Sequence, residues 1–112
     1  MKRGEVWTAA GGKDNRRKRP LVIVQDDRFD NPQSITICSF TTNPAEAPLF
    51  PLVVEPDAEN GIRAVCRLAV DKITTVPKSK LHAKIGCLAD PDMVRRNRAM
   101  LVFLGIAAPA HR

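Results

Sequence analysis

Histidine is nearly absent from this 112-residue chain. The two present, His82 and His111, stand far apart and alone. No His, Cys and carboxylate group has metal-ligand spacing, so a zinc centre or a His-based catalytic pair is not expected. Cysteine is scarce too. Cys38, Cys66 and Cys87 make an odd, widely spaced count that argues against a disulfide framework and a Cys-x-x-Cys redox site. Cys38 and Cys66 sit in apolar, strand-like surroundings and read as small core residues. No apolar run approaches the roughly 18 residues needed to span a bilayer. MKRGEVWT has cations but no apolar core behind them, so it does not read as a signal peptide. The expected address is the cytoplasm, with no membrane partner. Also missing are a Gly-x-Ser-x-Gly elbow, a phosphate loop ending in Gly-Lys-Ser/Thr and a dinucleotide fingerprint. Any catalysis must run on Arg, Lys, Asp, Thr and backbone donors, with neither metal nor cofactor.

What is present is positive charge, and it is concentrated. The net charge is +6, yet residues 1–19 carry seven Lys/Arg against two acids, while 46–59 carry four acids and no base. A local excess of this kind suits a polyanion such as RNA or DNA, or merely solvates a loop. The stretch Gly11 to Asp27, GGKDNRRKRPLVIVQDD, joins two unlike halves. Lys13, Asp14, Arg16, Arg17, Lys18 and Arg19 cannot be buried without partners. Leu21 to Val24 has the composition of a strand buried on both faces. Pro20 marks the junction, since proline is tolerated at the first residue of a strand but not inside one. A cationic loop is thereby anchored to a rigid strand, and Arg19, last before the anchor, is the leading candidate for a working residue. The other reading of Arg19 is a solvated loop cation.

Further along, Arg3 to Thr8 reads as a short strand with Val6 and Trp7 on opposite faces, Trp7 filling core rather than stacking on a base. Asp26 to Pro32 is turn chemistry. Ser34 to Phe40 alternates as a strand and ends in Thr41-Thr42-Asn43-Pro44. Pro44, Pro48 and Pro51 exclude a helix there. Strands follow at Leu52 to Glu55, Ile62 to Val70 and Ile73 to Val76, with a tight turn at Pro56 to Gly61 carrying the hairpin pair Asn60-Gly61. Pro77 to Leu88 reads as a connector with one helical turn near Ser79 to His82. The one convincing helix has Asp90 as cap, Pro91 at its first position and Gly105 as its stop. Met93, Val94, Asn97, Met100, Leu101 and Leu104 fall at helical spacing on it, with Arg95, Arg96 and Arg98 mostly on other faces. The expected fold is a single domain over 1–112, mostly β (α+β). It is a small, strongly bent, SH3-like antiparallel β-barrel of five to seven strands with a C-terminal α-helix.

Arginine, threonine and a carboxylate suit cleavage of RNA by its own 2′-hydroxyl. The substrate brings the nucleophile, leaving the protein to take the 2′ proton, stabilise charge on the phosphorane and help the 5′ oxygen leave. A guanidinium fork does the second, a Thr hydroxyl holds an oxygen, and a carboxylate accepts the proton. KRGEVW at the start, Arg19-Pro20 followed by LVIVQ, the strand ending FTTN, Gly61-Ile62, VDKITTV and KSKLHAKIG together resemble the MazF/PemK family of toxin endoribonucleases from type II toxin–antitoxin pairs. The resemblance implies a homodimeric barrel that binds single-stranded RNA across the dimer face. It implies metal-independent cutting at a short sequence, leaving a 2′,3′-cyclic phosphate and a 5′-hydroxyl, and silencing by a cognate antitoxin. It places the essential arginine at Arg19, the essential threonine at Thr41 and a proton acceptor at Asp71, with Asp14 matching the acid of the first loop. Ala69 stands where the branch that uses Asp71 has an arginine, and Arg67, one strand repeat earlier, would point to the same face. Lys13, Arg16, Arg17, Lys18, Thr42 and Asn43 complete the expected RNA contacts. Two other readings share the barrel shape: a nucleic-acid-binding module that does not cut, and a toxin that inhibits DNA gyrase by protein contact.

Overall fold

The structure is a computed structural model that describes residues 1–10, 18–42 and 51–107. Six strands run in chain order: β1 (Glu5–Ala10), β2 (Lys18–Ile23), β3 (Ser34–Thr41), β4 (Pro51–Val54), β5 (Cys66–Pro77) and β6 (Leu81–Cys87). One helix, α1 (Asp90–Phe103), follows them. They form one sheet in the order β4-β5-β3-β2-β1-β6, antiparallel throughout. No helix among the described residues is long and apolar enough to cross a membrane.

The apolar run Leu21 to Val24 explains why the sheet has two cores. Each of its residues is buried, and they alternate between clusters. Val22 and Val24 join Val6, Cys38, Phe40, Leu68 and Val70 on one face, over which Met100 of α1 packs. Leu21 and Ile23 join Ile35, Ile37 and Leu81 on the other, with Trp7 and Val76 against them. A strand apolar at successive positions feeds both faces, which a strictly alternating strand cannot do. Val6 and Trp7 divide between the faces as expected.

Among the described residues the outermost strands β4 and β6 do not pair, so the expected barrel is an open sheet. Its gap is bridged by the connection between β4 and β5. Cys87 N–H donates to the Glu59 carbonyl at 2.8 Å. A Cβ on Gly61 (φ +68°) would overlap the Ile85 carbonyl, and one on Gly86 would overlap the Glu59 carbonyl. Asn60, fully buried, organises this turn. Its Oδ1 accepts from Ile62 N at 2.9 Å and from Asp57 N at 3.3 Å, while its Nδ2 donates to the Glu55 carbonyl at 2.9 Å. The Asn60-Gly61 pair therefore belongs to a longer connection than a two-residue hairpin, although the flanking strands do pair antiparallel.

Four boundaries differ from the sequence reading. Strand β2 begins at Lys18 rather than at Pro20, because pairing with β1 carries the ladder back through Arg19, and Pro20 lies inside it opposite Thr8. The strands expected at Ile62 to Val70 and Ile73 to Val76 are one twelve-residue strand, β5, interrupted by a bulge rather than a turn. The connector Pro77 to Leu88 holds a single 3₁₀ turn at Lys78–Lys80 and then a full strand, β6, paired with β1. Only Leu81 of β6 is buried, so the alternation that marks a strand is missing there. Helix α1 is preceded by Ala89 as N-cap, without a side-chain cap bond, so Asp90 and Pro91 fall inside its first turn. There Asp90 and Asp92 still oppose the positive end of the helix dipole. At the other end Gly105 (φ +73°) closes a Schellman motif: Gly105 N–H bonds to Val102 O and Ile106 N–H to Leu101 O.

Candidate nuclease site

Register assembles the site. Leu21 lies opposite Ser39 and Ile23 opposite Ile37. Residues directly opposite each other share a face. Carried two residues further, the same register brings Arg19, near the start of β2, beside Thr41 at the end of β3. Across the next ladder Thr41 faces Arg67, and Ile37 faces Thr74. On this face the buried cluster of Leu21, Ile23, Ile35 and Ile37 gives way to small and polar residues at one end. A cavity of about 430 Å³ opens there, lined by Arg19, Ser39, Phe40, Thr41, Ala69, Lys72, Ile73 and Thr74. Arg19 is solvent-exposed and Thr41 half-buried. Arg19 is held from the other side too, because β1 pairs Ala9 with Arg19 and Thr8 with Pro20.

The bulge in β5 shapes the floor. Cys38 pairs with Ile73 and Phe40 with Leu68, so Ala69, Val70, Asp71 and Lys72 together lie opposite Ser39 alone. The surplus chain turns Lys72 and Ile73 into the cavity. Asp71 goes elsewhere. It does not line the cavity: its Oδ1 is buried without a hydrogen-bond partner, and its charge acts on the Cys38 thiol beneath.

Cys38 is itself a junction. Its Sγ donates to the Ala69 carbonyl at 3.1 Å. Burial pushes the thiol up to about 11, the Asp71 charge acting in the same direction and Arg96 against it. Nucleophilic chemistry by this sulfur at neutral pH is thereby disfavoured. Arg96 departs from expectation. Helical spacing set it off the core face, yet it is 4% exposed, and burial lowers its pKa. Its Nη1 donates to Asn97 Oδ1 at 3.2 Å, an oxygen that also accepts from Arg3 Nη2 at 2.5 Å. Arg3 Nη1 in turn donates to the Val24 carbonyl. The polar string that results runs from the N-terminal segment through α1 to the cavity floor.

Of the residues singled out in the sequence, Arg19 and Thr41 share the cavity, and Arg67 stands opposite Thr41 in the ladder. Asp71 lies under the floor, and Thr42 is exposed just past the end of β3. Lys18 opens β2, its backbone in register with Ala10. Lys13, Asp14, Arg16, Arg17 and Asn43 lie outside the described residues. Ser39, Lys72 and Thr74 went unnoticed. Ser39 could have been found two residues before Thr41 on the same strand face, and Lys72 directly after Asp71. Among the described residues no three His, Cys, Asp or Glu side chains gather in a way that could hold a metal ion.

Chemically, the cavity offers a guanidinium, an ammonium and three hydroxyls around a space suited to a phosphodiester. Comparison with known proteins agrees with that chemistry. Among curated relatives, a protein of Mycolicibacterium smegmatis named as a probable endoribonuclease MazF is 49% identical over 108 residues, covering 96% of this chain and 99% of the relative. Among solved structures, a mycobacterial endoribonuclease in complex with its cognate antitoxin superposes with a TM-score of 0.71 at 21% identity, over 97% of each chain. The Mycobacterium tuberculosis toxin MazF-mt6 does so with a TM-score of 0.69 at 20% identity, over 90% of this chain and 96% of its own. In MazE–MazF from Deinococcus radiodurans the matching chain gives 0.66 at 16% identity, over 96% of this chain and 98% of that one. At these identities the structural likenesses speak to the fold. The family described as PemK-like, MazF-like toxin of type II toxin–antitoxin system matches residues 2–104, and this chain belongs to it.

Proposed function

We propose that this chain is the toxin of a type II toxin–antitoxin pair, a metal-independent endoribonuclease that cuts single-stranded RNA. The observation that carries the reading is the cavity shared by Arg19 and Thr41, reached from strands whose register is fixed by a buried core on either side. RNA enters along the cationic loop, where Lys13, Arg16, Arg17 and Lys18 hold phosphates and Asp14 lies among them. Such contacts add affinity rather than sequence choice. At the scissile bond the Arg19 fork takes the two non-bridging oxygens, and its charge grows in value as the phosphorane becomes dianionic. Thr41 donates to an oxygen of the same group and fixes its orientation. Asp71 accepts the proton of the 2′-hydroxyl by turning its carboxylate out from beneath the cavity floor, where its buried Oδ1 has no hydrogen-bond partner among the described residues. The 2′ oxygen bonds to phosphorus as the bond to the 5′ oxygen breaks and that oxygen takes a proton. A 2′,3′-cyclic phosphate and a 5′-hydroxyl remain.

Lys72 adds a second cation at the cavity wall, and Arg67, Thr42 and Asn43 extend the contact surface along the strand end. Two copies assemble so that one RNA strand crosses both. Support for the assembly comes from α1, which leaves Val94, Leu101 and Leu104 exposed, followed by Ile106. An antitoxin segment rich in acids and apolar side chains folds across the same cationic groove and blocks it.

The test is cleavage of a single-stranded RNA in excess EDTA, with both product ends identified. Cyclic phosphate and 5′-hydroxyl ends support the reading. Binding without any cutting would leave a nucleic-acid-binding barrel, and inhibition of DNA gyrase without RNA cleavage would leave the protein-contact toxin.

A further inference from the structure

One proton in the reaction above has no named donor. The 5′ oxygen departs with the electron pair of its bond to phosphorus and must be protonated to leave as a hydroxyl. The side chains lining the cavity that carry a proton to give are Arg19, Ser39, Thr41, Lys72 and Thr74. A guanidinium stays protonated in proteins and an aliphatic hydroxyl is a very weak acid. Of these side-chain types, a lysine ammonium gives up its proton most readily.

Register puts Lys72 on the cavity face. Thr41 stands opposite Arg67 and Ile37 opposite Thr74. Facing residues share a side of the sheet, and so do positions two apart along one strand. Ala69 therefore follows Arg67, and Lys72 precedes Thr74, on the side that holds Ser39 and Thr41. An unbroken strand with Arg67 and Ala69 on that side would bring Asp71 there next. The bulge reverses the alternation: Val70 is buried in the first core, Asp71 lies under the floor, and Lys72 takes the cavity position. Ala69 presents only a methyl group beside it, which leaves room for the longer side chain. Arg19 comes from β2 and Lys72 from β5, the strands on either side of β3, so a phosphodiester at the end of β3 meets a cation from each flank. Lys72 is exposed. Lys78 and Lys84 are tied to Asp30 and Glu5 at 2.7 and 3.1 Å, whereas among the described residues no carboxylate forms an ion pair with Lys72. Nothing described draws its ammonium away from the cavity.

We propose that Lys72 is the general acid of the cleavage, a catalytic residue that gives an Nζ proton to the 5′ oxygen as its bond to phosphorus breaks. The electrons of that bond go to the oxygen, which leaves as a hydroxyl. Lys72 is left as a neutral amine and takes a proton back from water before the next turnover. The inference rests on the nuclease reading, and it holds whichever group accepts the 2′ proton.

The experiment uses a single-stranded oligoribonucleotide spanning a site that the wild type cuts, made in two forms. One has the natural 5′ oxygen at the scissile phosphate and the other has sulfur in its place. A thiolate leaves without being protonated, so the sulfur substrate needs no acid. Single-turnover rates are measured in EDTA at saturating protein for wild type, Lys72→Met, Lys72→Arg and Arg19→Ala. Lys72→Met is expected to cut the oxygen substrate about a hundredfold more slowly than wild type, and the sulfur substrate at close to the wild-type rate. Lys72→Arg keeps the charge but is a poorer acid, and should stay slow on oxygen. Arg19→Ala should slow both, because the charge on the non-bridging oxygens is common to the two substrates. Since Lys72 is exposed, neither substitution there should disturb folding, which urea unfolding checks. An equal loss on both substrates, no loss on either, or full recovery by Lys72→Arg overturns the proposal and leaves the nuclease reading in place. A wild type that cuts no single-stranded RNA removes the nuclease reading itself, and the proposal with it.

Discussion

Glu5 is the group whose removal has the most calculable effect. It stands at the start of β1, the strand that holds Arg19 in register, and its side chain is 13% exposed. Burial alone would raise its pKa. Hydrogen bonds from Lys2 N–H, Trp7 Nε1 and Lys84 outweigh that, with the Lys84 charge, and bring it to about 2 from an ordinary 4.5. Because the folded value lies below the unfolded one, the stabilisation is complete above about pH 4.5. It is lost as pH falls towards 2. The shift corresponds to about 3 kcal/mol at 1.36 kcal/mol per unit. Lys84 is half-exposed, so solvent screens its share, and about 2 kcal/mol is the expected cost of Glu5→Gln at pH 7. Urea unfolding of both proteins from pH 7 to pH 2 reads this directly. The gap should be near full size at pH 7, shrink below pH 4.5 and close by pH 2. A gap that is absent at pH 7, or that keeps its size to pH 2, would refute the assignment of the stabilisation to the ionised carboxylate.

Other perturbations have equally definite signs. Gly61→Ala combines a positive φ with a clash on the Ile85 carbonyl, and should cost at least about 2 kcal/mol, or roughly 8 °C or more in melting temperature by calorimetry. In alkylation of the native protein at pH 7.5, Cys87, which is exposed, should react well before the buried Cys38 and Cys66, both raised to about 11; equal rates would contradict the burial argument. Neutralising Arg16, Arg17 and Lys18 together should flatten log affinity for RNA against log salt by roughly one unit for each phosphate that no longer meets a cation. An unchanged slope would put the RNA path elsewhere.

Where residue type and position agreed, the sequence was easy to read. A cationic loop, a proline and four consecutive apolar residues read as a loop entering a doubly buried strand, and Leu21 to Val24 are buried there. But β2 starts earlier, at Lys18, so Arg19 and Pro20 lie within it, opposite Ala9 and Thr8 of β1. The end of β3 was as plain, since the alternation of Ile35 and Ile37 stops at small hydroxyl residues. What escaped notice depended on contacts between distant parts. Strand β6 buries only Leu81, so nothing in LHAKIGC marks it as the partner of β1. Asp71-Lys72 looks like a turn because two polar residues interrupt two apolar runs, but pairing with β3 on either side makes it a bulge. Arg96 was misplaced because arginine on a helix ordinarily faces water; only Asn97, Arg3 and Cys38 around it account for its burial. Helical spacing puts Val94, Leu101 and Leu104 with Met93 and Met100, yet α1 packs on β4 and β5 through Met93, Ala99 and Met100 and leaves those three exposed.

The central claim is that a strand-anchored guanidinium and a hydroxyl from the neighbouring strand end act on one phosphodiester. Single-turnover cleavage of a single-stranded RNA in EDTA by wild type, Arg19→Ala and Thr41→Val tests it most directly, with urea unfolding confirming that each variant is folded. Arg19→Ala is predicted to cut at least about a hundredfold more slowly than wild type, the scale expected when one transition-state charge donor is removed, and Thr41→Val to lose a smaller part of the rate. A folded Arg19→Ala protein that cuts RNA at the wild-type rate would contradict the account.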